Sequence, residues 1–469
     1  MNSLIVAGEI VLMMNEDRRV LRDGGVYVED DKIVEVGPYT LLKSKYRPDR
    51  TIGGRKKLIM PGFVNTHDHY EQVLLRQLGD DEDLLSRMRD VSDPIASALE
   101  MDELYIGAKI CMAEQIKSGI TTVFDDTVPW LANRMSKVEA VDVIAKAARE
   151  LGGIRVIQAV GGLDNDGGLV KAGKDADLYH YDPALARNDC INLIRKHNTS
   201  QSNITIWSNA STPLFCTDEM YQIMKEVADE YGTGTYSHVG ETVKEFELVK
   251  RRTGKTEIEY LDSLGFLDTH VLLAHAVWIT DTDITRIKRT DTKVSHQPIC
   301  NQHRASGTAP VPKMIKEGIT VGLGIDDGGH SNEDFFALMK HFVLIHRAAL
   351  LDTTSTSATK ALEMATIDGA RALGMDRFIG SLEPGKKADL IVVDLAGLNY
   401  VPHLRPIMAL VYGGMSTDVE TTIINGTIVM ENRQITANVK EEELMNEAEE
   451  AASNLVRRAN LPHKYFLEC

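Results

Sequence analysis

No stretch of the sequence approaches the roughly 20 consecutive apolar residues that a membrane helix requires, so no spanning helix is expected. The opening MNSLIVAGEIVLMMNEDRR lacks a basic start and carries Glu9 inside its apolar run, which predicts a first β-strand rather than a targeting segment. Cysteine is scarce: Cys111, Cys190, Cys216, Cys300 and Cys469 are odd in number, widely scattered and never paired as C-x-x-C. That argues against a disulfide framework and a thiolate zinc site, and it predicts a reducing, cytoplasmic setting. Positive charge is also short, with 52 Lys and Arg against 69 Asp and Glu and a net charge of −17. A nucleic-acid footprint needs clustered Lys and Arg, so neither nucleic acid nor a membrane surface is an expected partner. There is no repeat of fixed period and no low-complexity linker.

What is present is a long chain with a large core: 469 residues, 43% of them hydrophobic. At about 150 residues per domain this suggests roughly three domains, although one α/β barrel can absorb about 250 residues or more. Residues 1–60 alternate short β-rich runs with turns, at 3–14, 26–29 and 32–36. From 61 to 375 the pattern changes to short apolar runs, each followed by a longer helical stretch, the signature of repeated βα units. Strands are predicted at 62–66, 121–125, 154–160, 204–209, 234–238, 271–275, 293–296 and 320–324. Helices are predicted at 102–118, 183–197, 217–231 and 244–253. Eight such signals fit an α/β fold of the closed (β/α)8 TIM-like type better than an open sheet.

After about 380 the β style returns, at 389–394, 421–424 and 427–430, the last two joined across Asn425-Gly426, a dipeptide suited to a type I′ hairpin. Both chain ends are therefore expected to build one small β-sandwich clasping the barrel, an insertion that costs little loop-closure entropy. The division expected is 1–60 and 376–435 for the sandwich, 61–375 for the catalytic barrel, and 436–469 for a C-terminal helix and tail. The helix, 440–459, is rich in Glu and Ala and reads as exposed.

The chemistry concentrates at strand ends. Pro61-Gly62-Phe63-Val64-Asn65-Thr66-His67-Asp68-His69 is a strand ending in His-x-His. Residues two apart in a strand face one side, so both imidazoles can address one metal at the end of the barrel where active sites lie. Three later strands finish the same way, at His238, His275 and Asp326. Three histidines and a carboxylate suit Zn2+ or Fe2+, and a donor set without thiolates points to catalysis rather than structure.

The sequence resembles the amidohydrolase superfamily, and within it the mononuclear hydrolytic deaminase and chlorohydrolase group, which acts on substrates such as cytosine, guanine, adenosylhomocysteine and triazines. The resemblance rests on PGFVNTHDH, RQLGDD (76–81), EQIKSGITTVFDD (114–126), HVGE (238–241), LLAHAVWI, HQPICNQHRASGTAPV (296–311), GLGIDDGGHSN and EPGKKADLIVVD (383–394). It implies one divalent metal, zinc for preference, held by His67, His69, His238 and Asp326. Asp326 would also take a proton from the attacking water, Glu241 would be the proton shuttle, and His275 would orient the hydroxide or the developing oxyanion. The implied reaction removes an exocyclic amine, or a halide or amine leaving group, from a nitrogen heterocycle through hydroxide generated at the metal.

Binuclear relatives carry a bridging carboxylated lysine at the end of the fourth strand; Ile204-Thr205-Ile206-Trp207-Ser208-Asn209 has none, which favours one metal. The alternative function is hydrolysis of an amide, urea or (thio)carbamate at the same site. A non-catalytic relative is disfavoured because the whole residue set is intact. Trp130, His303 and His330 are candidates for substrate contact, while Asp327 is expected to serve as a loop or cap residue. The group's Trp-Leu after the paired aspartates is replaced by Arg87-Met88, which weighs against an adenosyl or thioadenosyl substrate and favours a smaller or different ring. A small-molecule heterocycle is the expected partner, with a homodimer or homotetramer as the expected assembly.

Overall fold

The computed structural model describes residues 3–167, 177–200, 202–326, 332–402 and 404–461; Asp327, His330 and Cys469 lie outside them. Eight parallel strands follow one another in chain order: Phe63–Asp68, Ile120–Asp125, Arg155–Gly162, Ile204–Ala210, Thr235–Val239, Val271–His275, Lys293–His296 and Val321–Leu323. The last meets the first where the Asp326 N–H donates to the His67 carbonyl at 2.9 Å, and Asp68 bridges Asp326 in parallel. This is the (β/α)8 barrel, numbered below from its first strand to its eighth. Its strands read as continuous apolar runs because both faces are covered: Val64, Phe124, Ile157, Trp207, Tyr236 and Leu272 fill the interior, and the helices cover the outside.

Helix boundaries follow local chemistry. Helix Met101–Ser118 starts on a capping box between Glu100 and Glu103 and stops at Gly119, whose φ of 87° is the left-handed C-terminal cap. Helix Pro183–His197 opens on Asp182, whose carboxylate accepts from the Ala184 and Leu185 N–H groups.

The chain ends form a second, mixed sheet of eight strands. Ser3–Leu12, Val20–Glu29, Lys32–Pro38 and Arg50–Pro61 come from the N-terminal part, and Leu390–Asp394, Val419–Ile424, Thr427–Glu431 and Gln434–Ile435 from the C-terminal part. The two groups join where Leu390–Asp394 pairs antiparallel with 57–61. Leu4, Val6, Val26 and Val28 share one apolar core with Leu390, Val392 and Ile423, which makes the two ends a single module. In the first strand the register shifts between Gly8 and Ile10. Leu4 and Val6 face the sheet's own core before that bulge; after it Val11 and Met13 do, and Ile10 and Leu12 turn to the barrel. One bulge thus gives a single strand two hydrophobic partners.

The Asn425-Gly426 turn has φ of 48° and 73°, the two left-handed residues of a type I′ hairpin. A side chain at Gly426 would strike the Asp30 carbonyl. Helix Glu441–Ala459 departs from the exposed reading: Leu444, Ala451 and Leu455 are buried and the helix packs on Met101–Ser118. Among the described residues no helix is long and apolar enough to cross a membrane, and Cys111, Cys190, Cys216 and Cys300 are buried free thiols.

Candidate active site

The first, fifth, sixth and eighth barrel strands bring His67, His69, His238, His275 and Asp326 together at their C-terminal ends, all of them buried. Asp326 Oδ1 lies 3.2 Å from His67 Nε2 and 3.6 Å from His69 Nε2, and Asp326 Oδ2 lies 3.7 Å from His275 Nε2. The His67 ring is 4.8 Å from that of His69 and 5.0 Å from that of His238, centroid to centroid. Ligands about 2.0–2.1 Å from a tetrahedral ion stand about 3.4 Å from one another, so the spacing of these atoms fits a single small cation. His275 and Asp326 have φ of 69° and 75°, a region that non-glycine residues seldom occupy. Such strain concentrates at sites where the fold fixes an orientation.

Neighbours set the tautomers. His238 Nδ1 meets the Ser211 carbonyl at 2.9 Å; a carbonyl only accepts, so Nδ1 carries the hydrogen and Nε2 is left as a lone pair facing inward. His275 Nδ1 meets Asn301 Oδ1 at 3.1 Å, which again leaves Nε2 bare, buried and without a hydrogen-bond partner. His67 Nδ1 pairs with Tyr236 Oη at 2.9 Å. Burial lowers the pKa of His67, His238 and His275, so the rings are neutral and able to donate lone pairs. Burial works against the Asp326 carboxylate, but His67 and His275 beside it outweigh that cost and hold its pKa well below the usual range.

A cavity opens from this centre, and its wall includes His69, Trp130, His238, Glu241 and Asp326. Glu241 is buried with Oε2 at 3.4 Å from His275 Nε2. Trp130 donates from Nε1 to Asp126 Oδ2 at 3.0 Å and stands edge-on to His238 at 5.6 Å between centroids. His303 Nε2 lies 2.9 Å from Asp80 Oδ1, and its neighbour Arg304 lines the cavity.

Several contributors escape a reading of strand ends. Tyr236, within the fifth strand, Ser211, just past the fourth, and Asn301, in the helix after the seventh, orient the histidines. Asp126 accepts from both Trp130 and Asn209 Nδ2, and burial pushes its pKa well up. Glu245, in the first turn of the helix Val243–Thr253 that follows Glu241, lines the same cavity, its carboxyl pushed up to about 8 by burial and by Glu241.

Orienting partners of a metal-ligating histidine govern affinity as well as geometry. Tyr236→Phe is therefore expected to weaken metal binding by about 10- to 100-fold, read by competition with a coloured chelator. Unchanged affinity would mean that Tyr236 merely fills space.

The sequence profile of the amidohydrolase family matches residues 58–429, which takes in the barrel, the site and most of the C-terminal strands. The chain belongs to the amidohydrolase family. It is 33% identical over 460 residues to the 5-methylthioadenosine/S-adenosylhomocysteine deaminase of Thermoanaerobacter pseudethanolicus, covering 97% of this chain and 100% of that one. It is 34% identical over 466 residues to the 5'-deoxyadenosine deaminase of Methanosarcina mazei, covering 98% and 100%. Among solved structures, an adenosine deaminase from Xanthomonas campestris, described with bound zinc, superposes with a TM-score of 0.88 at 23% identity over 97% of this chain and 99% of that one. At that identity the likeness concerns the fold of this amidohydrolase.

Proposed function

We propose that this amidohydrolase is a metal-dependent hydrolytic deaminase that removes an exocyclic amino group from a nitrogen heterocycle, with an aminopurine as the first substrate class to test. The observation that carries the reading is the convergence of His67, His69, His238 and Asp326 with Glu241 at the mouth of one cavity. Relatives named for deamination of modified adenosines support it, and they answer the weight that Arg87-Met88 placed against an adenosine-type ring. The fourth strand, Ile204–Ala210, presents no lysine to bridge two ions, which supports a single metal.

His67, His69, His238 and Asp326 would hold that metal, zinc by preference among divalent ions. A divalent ion in such a set lowers the pKa of a water molecule from 15.7 to about 7 and so supplies the nucleophile at neutral pH. Asp326 takes the proton that the water gives up. Glu241 delivers a proton to the departing nitrogen, the C–N bond breaks as the new C–O bond becomes a carbonyl, and of the two protons given up by the water, relayed through Asp326 and Glu241, one leaves on the ammonia and the other stays on the ring nitrogen. His275, with its bare Nε2 facing Glu241 and Asp326, steers the attacking oxygen and the developing charge. Trp130 and Phe215, edge-on to each other at 6.3 Å between ring centroids on the cavity wall, supply the apolar surface against which a planar ring would rest. The two carboxylates need separate protonation states to act in sequence, and their surroundings differ: Asp326 lies among His67, His69 and His275, whereas Glu241 stands between His275 and the buried Glu245. Barrel residues 61–375 form the catalytic unit in this reading, and the protein works as a cytoplasmic homodimer or homotetramer.

The test is metal analysis followed by an ammonia-release screen over purines, pterins, pyrimidines and triazines on the same preparation. One equivalent of metal with ammonia from any ring is the expected result. One equivalent without ammonia would redirect attention to halide, amine and carbamate leaving groups, and two equivalents would overturn the mononuclear site.

A further inference from the structure

A hydrogen-bond chain runs from the cavity wall to the histidine cluster through residues of the second and fourth barrel strands and the turns that follow them. Trp130 lies on the wall, edge-on to the His238 and His69 rings at 5.6 and 6.3 Å between centroids. Its Nε1 donates to Asp126 Oδ2 at 3.0 Å, and Asn209 Nδ2 donates to Asp126 Oδ1. Ser211 Oγ donates to Asn209 Oδ1 at 2.9 Å. The Ser211 carbonyl then accepts from His238 twice, from Nδ1 at 2.9 Å and from the backbone N–H at 2.6 Å. Asp126, Asn209 and Ser211 are wholly buried. The Asp126 N–H donates to the Asp68 carbonyl at 2.8 Å, which fixes the carboxylate against the strand that carries His67 and His69.

Each residue type suits its link. A carboxylate accepts on both oxygens, so one oxygen of Asp126 takes the indole N–H and the other the Asn209 amide; a carboxamide donates and accepts, so Asn209 can join that carboxylate to the Ser211 hydroxyl. Asp126 Oδ2 also stands 3.7 Å from His238 Nδ1, outside hydrogen-bond range, so its contact with the histidine passes through Asn209 and Ser211. A hydrogen bond to a carboxylate is about twice as strong as one between neutral groups, which leaves the indole little freedom to swing. We propose that Asp126 and Asn209 are positioning residues: they set the Trp130 indole, and with it the plane in which the substrate's ring rests, through the same chain that aims His238 Nε2. The proposal rests on the deaminase reading for the occupant of that slot and deepens it by assigning the residues that orient the ring.

The chain contains three tryptophans, so the full-length, zinc-loaded protein labelled with nitrogen-15 gives three indole N–H signals, and Trp130→Phe assigns one of them. Asn209→Ala, one link away from the indole, is expected to shift that signal and to speed its exchange with solvent by about 10-fold, the worth of roughly one hydrogen bond. Asp126→Asn should do at least as much while leaving the metal content per chain unchanged. The swap of Asp126→Asn with Asn209→Asp restores a donor and an acceptor at every link, and it should return both the signal and its exchange rate close to the wild type. On whichever ring releases ammonia, the single variants should raise KM by about 10-fold with little change in kcat, and the swap should recover KM. An indole signal unmoved in Asn209→Ala, metal lost in Asp126→Asn, or an unchanged KM where ammonia is released each overturns the proposal. A shifted and rescued signal without ammonia from any ring would overturn the deaminase reading and uphold the positioning of Trp130; ammonia with an unmoved signal would do the reverse.

Discussion

Glu241→Gln is expected to lower turnover by about 10²-fold or more while leaving the metal content per chain unchanged. Glutamine keeps the shape and hydrogen-bonding reach of the side chain but cannot release a proton, and loss of a positioned general acid/base typically costs about 10²- to 10⁴-fold. Glu241 is suited to that task by position: it is buried, it lines the cavity, and its carboxyl lies 3.4 Å from His275. Its role apart from the four proposed ligands is what separates the two readouts. If the variant lost metal as well as activity, Glu241 would be acting on the ion rather than on the substrate. Wild-type turnover would remove it from the mechanism. Glu245 offers an internal comparison, since it lines the same cavity but sits in the first turn of the helix Val243–Thr253, beyond the loop that carries Glu241.

The barrel was legible because each strand is a short apolar run, and titratable residues stand at or near the ends of the first, fifth, sixth and eighth, where the chemistry sits. Strands Val271–His275 and Lys293–His296 match their predicted spans residue for residue. The module from the two chain ends was legible in composition but not in register, because the bulge at Gly8 flips which residues face inward and a period-two count runs straight through it. The C-terminal helix misled through its charge: the buried Leu444, Ala451 and Leu455 form a narrow stripe on a strongly polar segment. His67, His69, His238, His275 and Asp326 could be picked out because the strand pattern gives them a common end. Arg304 could not, since a loop arginine is usually exposed, and its burial depends on the Gly79 carbonyl far away in the chain. The choice of His303 shows the same limit one residue over, where the helix Pro298–His303 ends and adjacent side chains diverge. Tyr236, Ser211 and Asn301 illustrate a further gap: which nitrogen of a histidine is free depends on contacts that only the folded structure brings together.

His67→Ala should empty the site. The His67 ring is wholly buried at the centre of the cluster, with the rings of His69, His238 and His275 between 4.8 and 5.6 Å away. Its removal deletes one ligand of the proposed four and also undoes two supports. Tyr236 Oη loses its partner at 2.9 Å, and Asp326 loses the nearest of the histidines that hold its carboxylate ionised. Metal content is therefore expected to fall from about one equivalent to about a tenth or less after dialysis, and ammonia release to fall by about 10³-fold or more. Tyr236→Phe, which removes only the orienting contact, should lie between this variant and the wild type in chelator competition. Metal retained at the wild-type level in His67→Ala would mean that another set, such as His69, Asp126 and His238, holds the ion. In that case the proton transfers assigned to Asp326 and Glu241 would have to be built again around a centre displaced toward the second strand.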